Sequence, residues 1–248
     1  MSRPFVSVVT PTYNRRRFLP ILIHQFNIQT YPVDRRELII LDDSPTSNED
    51  LIPKNNKYIK YYYQPVKMNL GEKRNKLNEL AIGDIIVCFD DDDYHYPDRI
   101  AHSVFKLNQE KADIAGCTCI DIYFTDIDKT YKFGPYGRNH GTNGTFAYRR
   151  QYYENHKYDN NKNAQEEPEF TNNWSEKMAN LDETKIILCI NHDSNTYDKR
   201  NLLKQNQPRR EIGMKLNKMI KDKMYLNFLK DLSEDMKLEK QIEKINVT

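Results

Sequence analysis

Four consecutive carboxylates, Asp90-Asp91-Asp92-Asp93, stand directly after an apolar run, Asp84-Ile85-Ile86-Val87-Cys88-Phe89. Adjacent like charges repel, and such a run costs stability unless a cation neutralises it. Hard divalent cations, Mg2+ or Mn2+, take oxygen ligands and often bridge one or two carboxylates to a substrate's phosphates. The bland alternative is a solvated acidic loop. A buried strand leading straight into the run, with Pro97 and a helix behind it, favours a site. A second acidic pair, Asp42-Asp43, follows another apolar run, and the polar stretch Thr10 to Asn14 follows a third. Further along, Gln165-Glu166-Glu167-Pro168-Glu169-Phe170 sets carboxylates at the expected start of a helix. Crowding by like charges raises the pKa of one such acid, which suits proton acceptance near neutral pH. An ordinary acidic helix start, stabilised by the dipole, is the alternative there.

The elements that must position these groups alternate in type. Phe5 to Val9 reads as a buried strand and Arg16 to Gln29 as the helix after it, with Arg15-Arg16-Arg17 a solvated helix start. Glu37 to Leu41 and Tyr58 to Tyr63 read as strands, and Glu72 to Ala81 as a helix with Gly83 as its stop signal. Asp84 to Phe89 is a fourth strand, and Pro97 opens another helix from its first turn. Ile114 to Phe124 reads as one long strand, Phe133 to Thr145 as a glycine-bearing loop, Gln165 to Met178 as a helix and Lys185 to Ile190 as a strand. Strands alternating with helices imply an α/β fold, a mostly parallel sheet covered on both faces. Ligands of such sheets bind outside the carboxyl ends of the strands, which gathers three polar strand ends on one edge. From Arg209 the chain is charged, with Ile212, Leu216, Met219 and Ile220 at helical spacing, so 206–248 reads as an amphipathic helical extension behind a domain of 1–205. It docks on the domain or makes a homo-oligomer contact.

Composition narrows the function class. With 248 residues, 38% hydrophobic and 30% charged, the chain suits a folded domain with a substantial core. Its net charge of +2 lacks the cationic excess that a nucleic-acid binder draws its affinity from. No stretch approaches the about 20 apolar residues of a membrane span, and no cleavage pattern follows the amino-terminal segment, so a cytoplasmic location is expected. Cys88, Cys117, Cys119 and Cys189 form no Cys-x-x-Cys pair and sit in apolar runs, as reduced core thiols do.

The stretches Val6-Ser7-Val8-Val9-Thr10-Pro11-Thr12-Tyr13-Asn14-Arg15, Leu41-Asp42-Asp43-Ser44, Asn69-Leu70-Gly71-Glu72-Lys73-Arg74-Asn75 and Gly83 through Asp93 to Pro97-Asp98-Arg99-Ile100 resemble the family 2 glycosyltransferases of GT-A fold, in order and spacing. The second half resembles them more loosely. The resemblance implies a Rossmann-like nucleotide-binding half over about 1–100, an acceptor half over about 101–205, and inverting transfer from a nucleotide diphosphate sugar, by resemblance a UDP-sugar, to a glycan, protein or lipid-linked acceptor. It places Pro11 and Tyr13 at the nucleotide base, Asn14 among the nucleotide-sugar contacts, Asp43 with Asp42 beside it at the uracil or ribose, and Lys73 and Arg74 at the nucleotide or diphosphate. The family's Asp-x-Asp signature falls on Asp90-Asp91-Asp92, with Asp92 on a Mn2+ or Mg2+ ion and Asp90 or Asp91 on the ribose and donor sugar. His192 completes the metal or diphosphate site, and Lys199 and Arg200 reach the diphosphate. The catalytic base is Glu167, with Glu166 and Glu169 as alternatives. Trp174 is a core residue or an acceptor-stacking one.

Other classes fit less well. An aspartate-based phosphohydrolase wants Thr or Val where Tyr94 stands, and a sugar nucleotidyltransferase wants a glycine-rich basic loop near the amino terminus. A non-catalytic sugar-binding protein is the remaining alternative.

Overall fold

The computed structural model describes the backbone of residues 3–246 and the side chains of 3–236. In chain order the elements are β1 (Val6–Thr12), α1 (Leu19–Asn27), β2 (Arg36–Asp42), β3 (Ile59–Tyr63), α2 (Leu70–Leu80), β4 (Ile85–Cys88), β5 (Tyr94–His95) and α3 (Arg99–Glu110). There follow β6 (Ile114–Gly116), β7 (Ile120–Phe124), β8 (Lys129–Phe133), β9 (Ala147–Arg149), α4 (Arg150–Asn155), α5 (Glu167–Phe170), β10 (Met178–Asn180), α6 (Glu183–Ile186) and β11 (Ile187–Asn191). The chain closes with α7 (Arg200–Lys204), β12 (Arg209–Ile212), α8 (Leu216–Met219) and α9 (Lys223–Asn246).

A seven-stranded sheet runs β10-β6-β9-β4-β1-β2-β3. Within it β3, β2, β1 and β4 are mutually parallel, β10 is parallel to β6, and β9 lies antiparallel between β4 and β6. Because β9 runs the opposite way, its start arrives at the same edge as the carboxyl ends of β1, β2, β4, β6 and β10. The turn Asn143–Thr145 that leads into β9 therefore sits beside the acidic strand ends. A five-stranded sheet, β12-β8-β7-β11-β5, flanks the first.

Period-two alternation explains the layers. Val6, Val8, Leu38, Ile40, Ile85 and Val87 face Leu22 and Phe26 of α1 and Ile100 and Leu107 of α3. The intervening Val9, Ile39, Leu41, Ile86 and Cys88 face Leu77 of α2 with Tyr148, Tyr152 and Phe170. Both faces are covered, which is why these strands read as unbroken apolar runs. Ile220, Tyr225, Leu229, Leu232 and Met236 from the last segment join Phe18, Ile21, Tyr94, Leu188 and Ile190 in a third cluster. Among the described residues no helix is long and apolar enough to cross a membrane, and all four cysteines are free thiols.

Several elements differ from the sequence reading. Ile114 to Phe124 is two strands in two different sheets, broken at Cys117–Cys119. The helix expected over Gln165 to Met178 is only Glu167–Phe170, because Asn172, Asn173 and Trp174 all take left-handed backbone angles. Arg16–Phe18 is a 3-10 turn ahead of α1, Lys185 and Ile186 are helical, and α3 begins at Arg99, two residues after Pro97. Gly83 does not cap α2, which ends at Leu80 with Ala81 extended. A Cβ at Gly83 would lie 2.5 Å from the Ser7 amide nitrogen, so close approach to β1 is what that glycine serves. Within the stretch read as helical, residues 209–212 form an edge strand on β8.

Candidate active site

The edge where the strands end holds the acidic groups, and most of them are already engaged. Asp42, fully buried, accepts hydrogen bonds from the Ser44 amide (2.9 Å), Asn48 Nδ2 (2.8 Å) and Tyr61 OH (2.7 Å). Its carboxylate organises the loop after β2. Burial, and the Asp42 carboxylate that its hydroxyl meets, push Tyr61 up to about 12. Asp43 pairs with the buried Lys73 ammonium and accepts the Met68 amide at 2.7 Å. Lys73 Nζ also donates to the Thr12 carbonyl at 3.1 Å, tying α2 to the end of β1. The half-buried Tyr13 presents its ring to Lys67, whose ammonium lies 4.1 Å from the ring centre. Pro11 lies on β1, and Asn14, at φ 56°, donates its amide to Ser44 Oγ at 2.7 Å, joining two of the strand ends.

The four aspartates after β4 have four different environments. Asp90 lies 3.5 Å from Arg74 NH2 and is the most solvent-facing of them. Asp91 accepts from Thr12 Oγ1 at 2.6 Å; burial and the adjacent Asp92 push it up to about 8. Asp93 is buried against the Ile190 amide (2.8 Å) and Lys199 (3.6 Å), and burial pushes it up to about 6 against the pull of Lys199. It holds β11 to the β4 loop. On Asp92 Oδ2 converge His192 Nε2 (3.2 Å), Asn195 Nδ2 (3.0 Å) and an Arg15 guanidinium nitrogen (3.4 Å). Burial alone would raise Asp92, but the His192 hydrogen bond and the charges of Lys199 and Arg15 hold it below the usual carboxylate range. Burial lowers His192, whose ring stacks on Phe18 at 4.9 Å between centres. Among the described residues no group of three or more His, Cys, Asp or Glu side chains is arranged to hold a metal ion.

The second carboxylate group meets the first through one guanidinium. Glu166, 3% exposed, accepts from Arg74 Nε at 2.7 Å, so a single buried arginine touches both Asp90 and Glu166. Glu167, at the first position of α5, is half-buried and accepts the Asn143 amide through Oε1 at 3.1 Å. Burial, then the charge of Glu166, raises its pKa. Gln165 ahead of the pair is left-handed, φ 57°. Glu169 is exposed. Gly144 completes the junction: a Cβ there would lie 2.5 Å from Asp90 Oδ2, so a larger residue would displace that carboxylate.

Three residues have roles that the sequence reading missed. Arg15, expected in solvent, is 8% exposed and turned onto Asp92, unlike its exposed neighbours Arg16 and Arg17. Its place directly after the polar end of β1 was the available signal. Arg99 is fully buried and donates through NH2 to the carbonyls of Cys88 (3.1 Å), Gly144 (3.0 Å) and Phe146 (3.2 Å), and burial lowers it to about 10. It braces the β4 end against the turn before β9. His95, fully buried, stacks on Phe89 and meets the Asp90 carbonyl at 2.9 Å, with its pKa lowered by burial to about 3. Of the two later cations expected to reach the diphosphate, Lys199 faces the acidic loop, while Arg200 pairs with Asp193, Asp198 and Asp126. Trp174 is half-buried and stacked on His140, 4.6 Å between centres.

The chain is similar to known proteins in sequence and in fold. Residues 7–166 match the family described as Glycosyl transferase family 2. WcaA of Escherichia coli strain K12, named as a colanic acid biosynthesis glycosyl transferase, is 32% identical over 114 residues, which are 44% of this chain and 39% of that protein. The poly(ribitol-phosphate) beta-N-acetylglucosaminyltransferase TarS of Staphylococcus aureus is 22% identical over 112 residues, 44% of this chain and 20% of TarS. The crystal structure of TarS 1-349 in complex with UDP-GlcNAc superposes with a TM-score of 0.62 at 16% identity, covering 77% of this chain and 60% of that one. The mannosyltransferase PcManGT of Pyrobaculum calidifontis, in complex with GDP-Man and Mn2+, superposes with 0.61 at 15% identity, over 81% and 60%. The chain spans at most about two fifths of the length of these curated relatives, and the two superpositions speak for a shared GT-A fold.

Proposed function

The chain belongs to glycosyl transferase family 2, and from that premise we propose that it is an inverting enzyme moving a hexose or N-acetylhexosamine from a UDP-sugar to an acceptor hydroxyl, with a divalent ion assisting and Glu167 as base. The observation that carries this reading is the Arg74 bridge. One guanidinium lies 3.5 Å from Asp90, in the loop read as the donor side, and 2.7 Å from Glu166, next to the base. Donor and acceptor groups are thereby within the reach that a single displacement needs. UDP is chosen over GDP because TarS, bound to UDP-GlcNAc, is also detectable by sequence.

Glu166 is neutralised by Arg74, whereas Glu167 accepts the Asn143 amide on Oε1. Its Oε2 is the oxygen that takes the hydroxyl proton, and its raised pKa suits proton acceptance near neutral pH. As the acceptor oxygen bonds to the anomeric carbon, the bond from that carbon to the diphosphate oxygen breaks, and UDP departs with the electron pair. Arg74 and Lys199 sit where that negative charge develops. The Asp92 carboxylate is the oxygen ligand that Mn2+ or Mg2+ would take here. Asp92 and His192 would hold the ion, with the His192, Asn195 and Arg15 contacts now on Asp92 Oδ2 giving way to it. Bound there, the ion would stabilise the leaving group electrostatically. Residues 1–205 form this catalytic unit in the proposal, and 206–248 an extension docked through β12 and α9. Release of UDP from UDP-glucose and UDP-N-acetylglucosamine, followed with and without Mn2+, tests the reading. Metal-stimulated release supports it, and silence with every UDP- and GDP-sugar under both ions overturns it.

A further inference from the structure

A cavity of about 480 Å3 opens at the same sheet edge, beyond β6 and β10, lined by Gly116, Arg138, Asn139, His140, Lys177 and Asn180 among others. Its polar chemistry is one-sided. Asn139 Oδ1 accepts the Met178 amide at 3.2 Å and Asn180 Oδ1 accepts the Thr118 amide at 3.2 Å. Both side-chain amides therefore have their acceptor ends engaged and their NH2 donors without a partner among the described residues. The Arg138 guanidinium has no ion pair or hydrogen bond among the described residues either, and Lys177 meets only the Glu110 carbonyl. Glu110, the lining carboxylate, is paired with Lys106. Unpaired donors and positive charge remain, beside the buried and partnerless Nδ1 of His140.

The cavity is strapped to the proposed base. Trp174 donates from Nε1 to the Gly141 carbonyl (3.4 Å) and stacks on His140, and Asn143 donates to Glu167 (3.1 Å). From His140 to Asn143 is three residues, at most about 11 Å of chain. We infer that this cavity is an acceptor subsite for an oxyanion, a carboxylate or phosphodiester carried by the acceptor glycan within a short oligosaccharide's length of the hydroxyl that is glycosylated. The inference deepens the proposed function and rests on it.

The test is calorimetric binding, in the presence of UDP and Mn2+, of three probes: a glucuronate-terminated oligosaccharide, a glycerol-phosphate oligomer and a neutral gluco-oligosaccharide of equal length. Wild type binds at least one acidic probe roughly tenfold more tightly than the neutral one, a modest factor because both cations are exposed. R138A/K177A loses that preference with an unchanged melting temperature, and the acidic probe that binds identifies carboxylate or phosphodiester as the source. Equal binding of acidic and neutral probes, no binding of either acidic probe, or a preference that survives in the double variant overturns the inference. UDP binding on the same samples separates the failures: if UDP binds and the preference is absent, only the subsite is wrong. If UDP does not bind, the active-site reading falls and takes the subsite with it.

Discussion

Replacing Glu167 by glutamine separates its proposed role from that of its neighbour. Glutamine keeps an oxygen to accept the Asn143 amide now held at 3.1 Å, so α5 and the turn before β9 stay in place. What is lost is the proton acceptor. General-base catalysis contributes about 10²- to 10⁴-fold, so kcat should fall by that factor, about 2.7–5.4 kcal/mol in barrier height. UDP affinity should not change. Stability should hold or rise at neutral pH. An acid whose pKa is raised on folding favours the protonated fold, so its contribution is present at low pH and lost as pH rises through the folded value. The same shift puts the acid limb of the wild-type kcat/KM profile above 4.5, the ordinary glutamate value. Glu166→Gln should behave differently, because it removes the charge facing a buried guanidinium. A broken buried pair costs about 3–5 kcal/mol, and the lower end applies here since Arg74 keeps Asp90. The assay is UDP release at saturating donor, with UDP titration and thermal melting on the same preparations. Wild-type turnover in Glu167→Gln, or a rate loss matched by an equal loss of UDP affinity, would refute the assignment.

Three further outcomes follow from the packing. Asp43→Ala strands the 4%-exposed Lys73 ammonium without its carboxylate and should cost about 3–5 kcal/mol in urea denaturation. Gly144→Ala forces a Cβ to within 2.5 Å of Asp90 Oδ2, so donor KM should rise while overpacking costs about 1–3 kcal/mol by thermal melting. Leu229→Ala opens the cluster between α9 and Leu188, Ile190 and Phe18, and should cost about 2–5 kcal/mol with kcat unchanged in what stays folded.

The first hundred residues were legible because their signals are local. Val6 to Val9, Leu38 to Leu41 and Ile85 to Cys88 are buried on both faces, and each run ends where polar residues begin. Parallel pairing then gathers those ends on one edge. The second half deceived for identifiable reasons. Phe170, Trp174 and Met178 recur every four residues as on a helix face, yet three successive left-handed residues break the segment after one turn. Cys117 to Cys119 links two sheets inside one apolar stretch, which periodicity alone does not divide. β12 is Arg-Arg-Glu-Ile, an exposed edge strand with no apolar alternation to announce it. Residue type likewise hid Arg15 and Arg99: charge predicts exposure, and only the folded contacts show one turned onto Asp92 and the other wedged beneath three carbonyls.

The central claim is that the strand-end acids hold a nucleotide diphosphate through a divalent ion at Asp92. Calorimetric titration of UDP into the wild-type chain and into Asp92→Ala, each with and without Mn2+, addresses it most directly. The account predicts that Mn2+ strengthens UDP binding in the wild type and adds nothing in the variant. Identical Mn2+ dependence in the two proteins, or no UDP binding by the wild type under either condition, would contradict it.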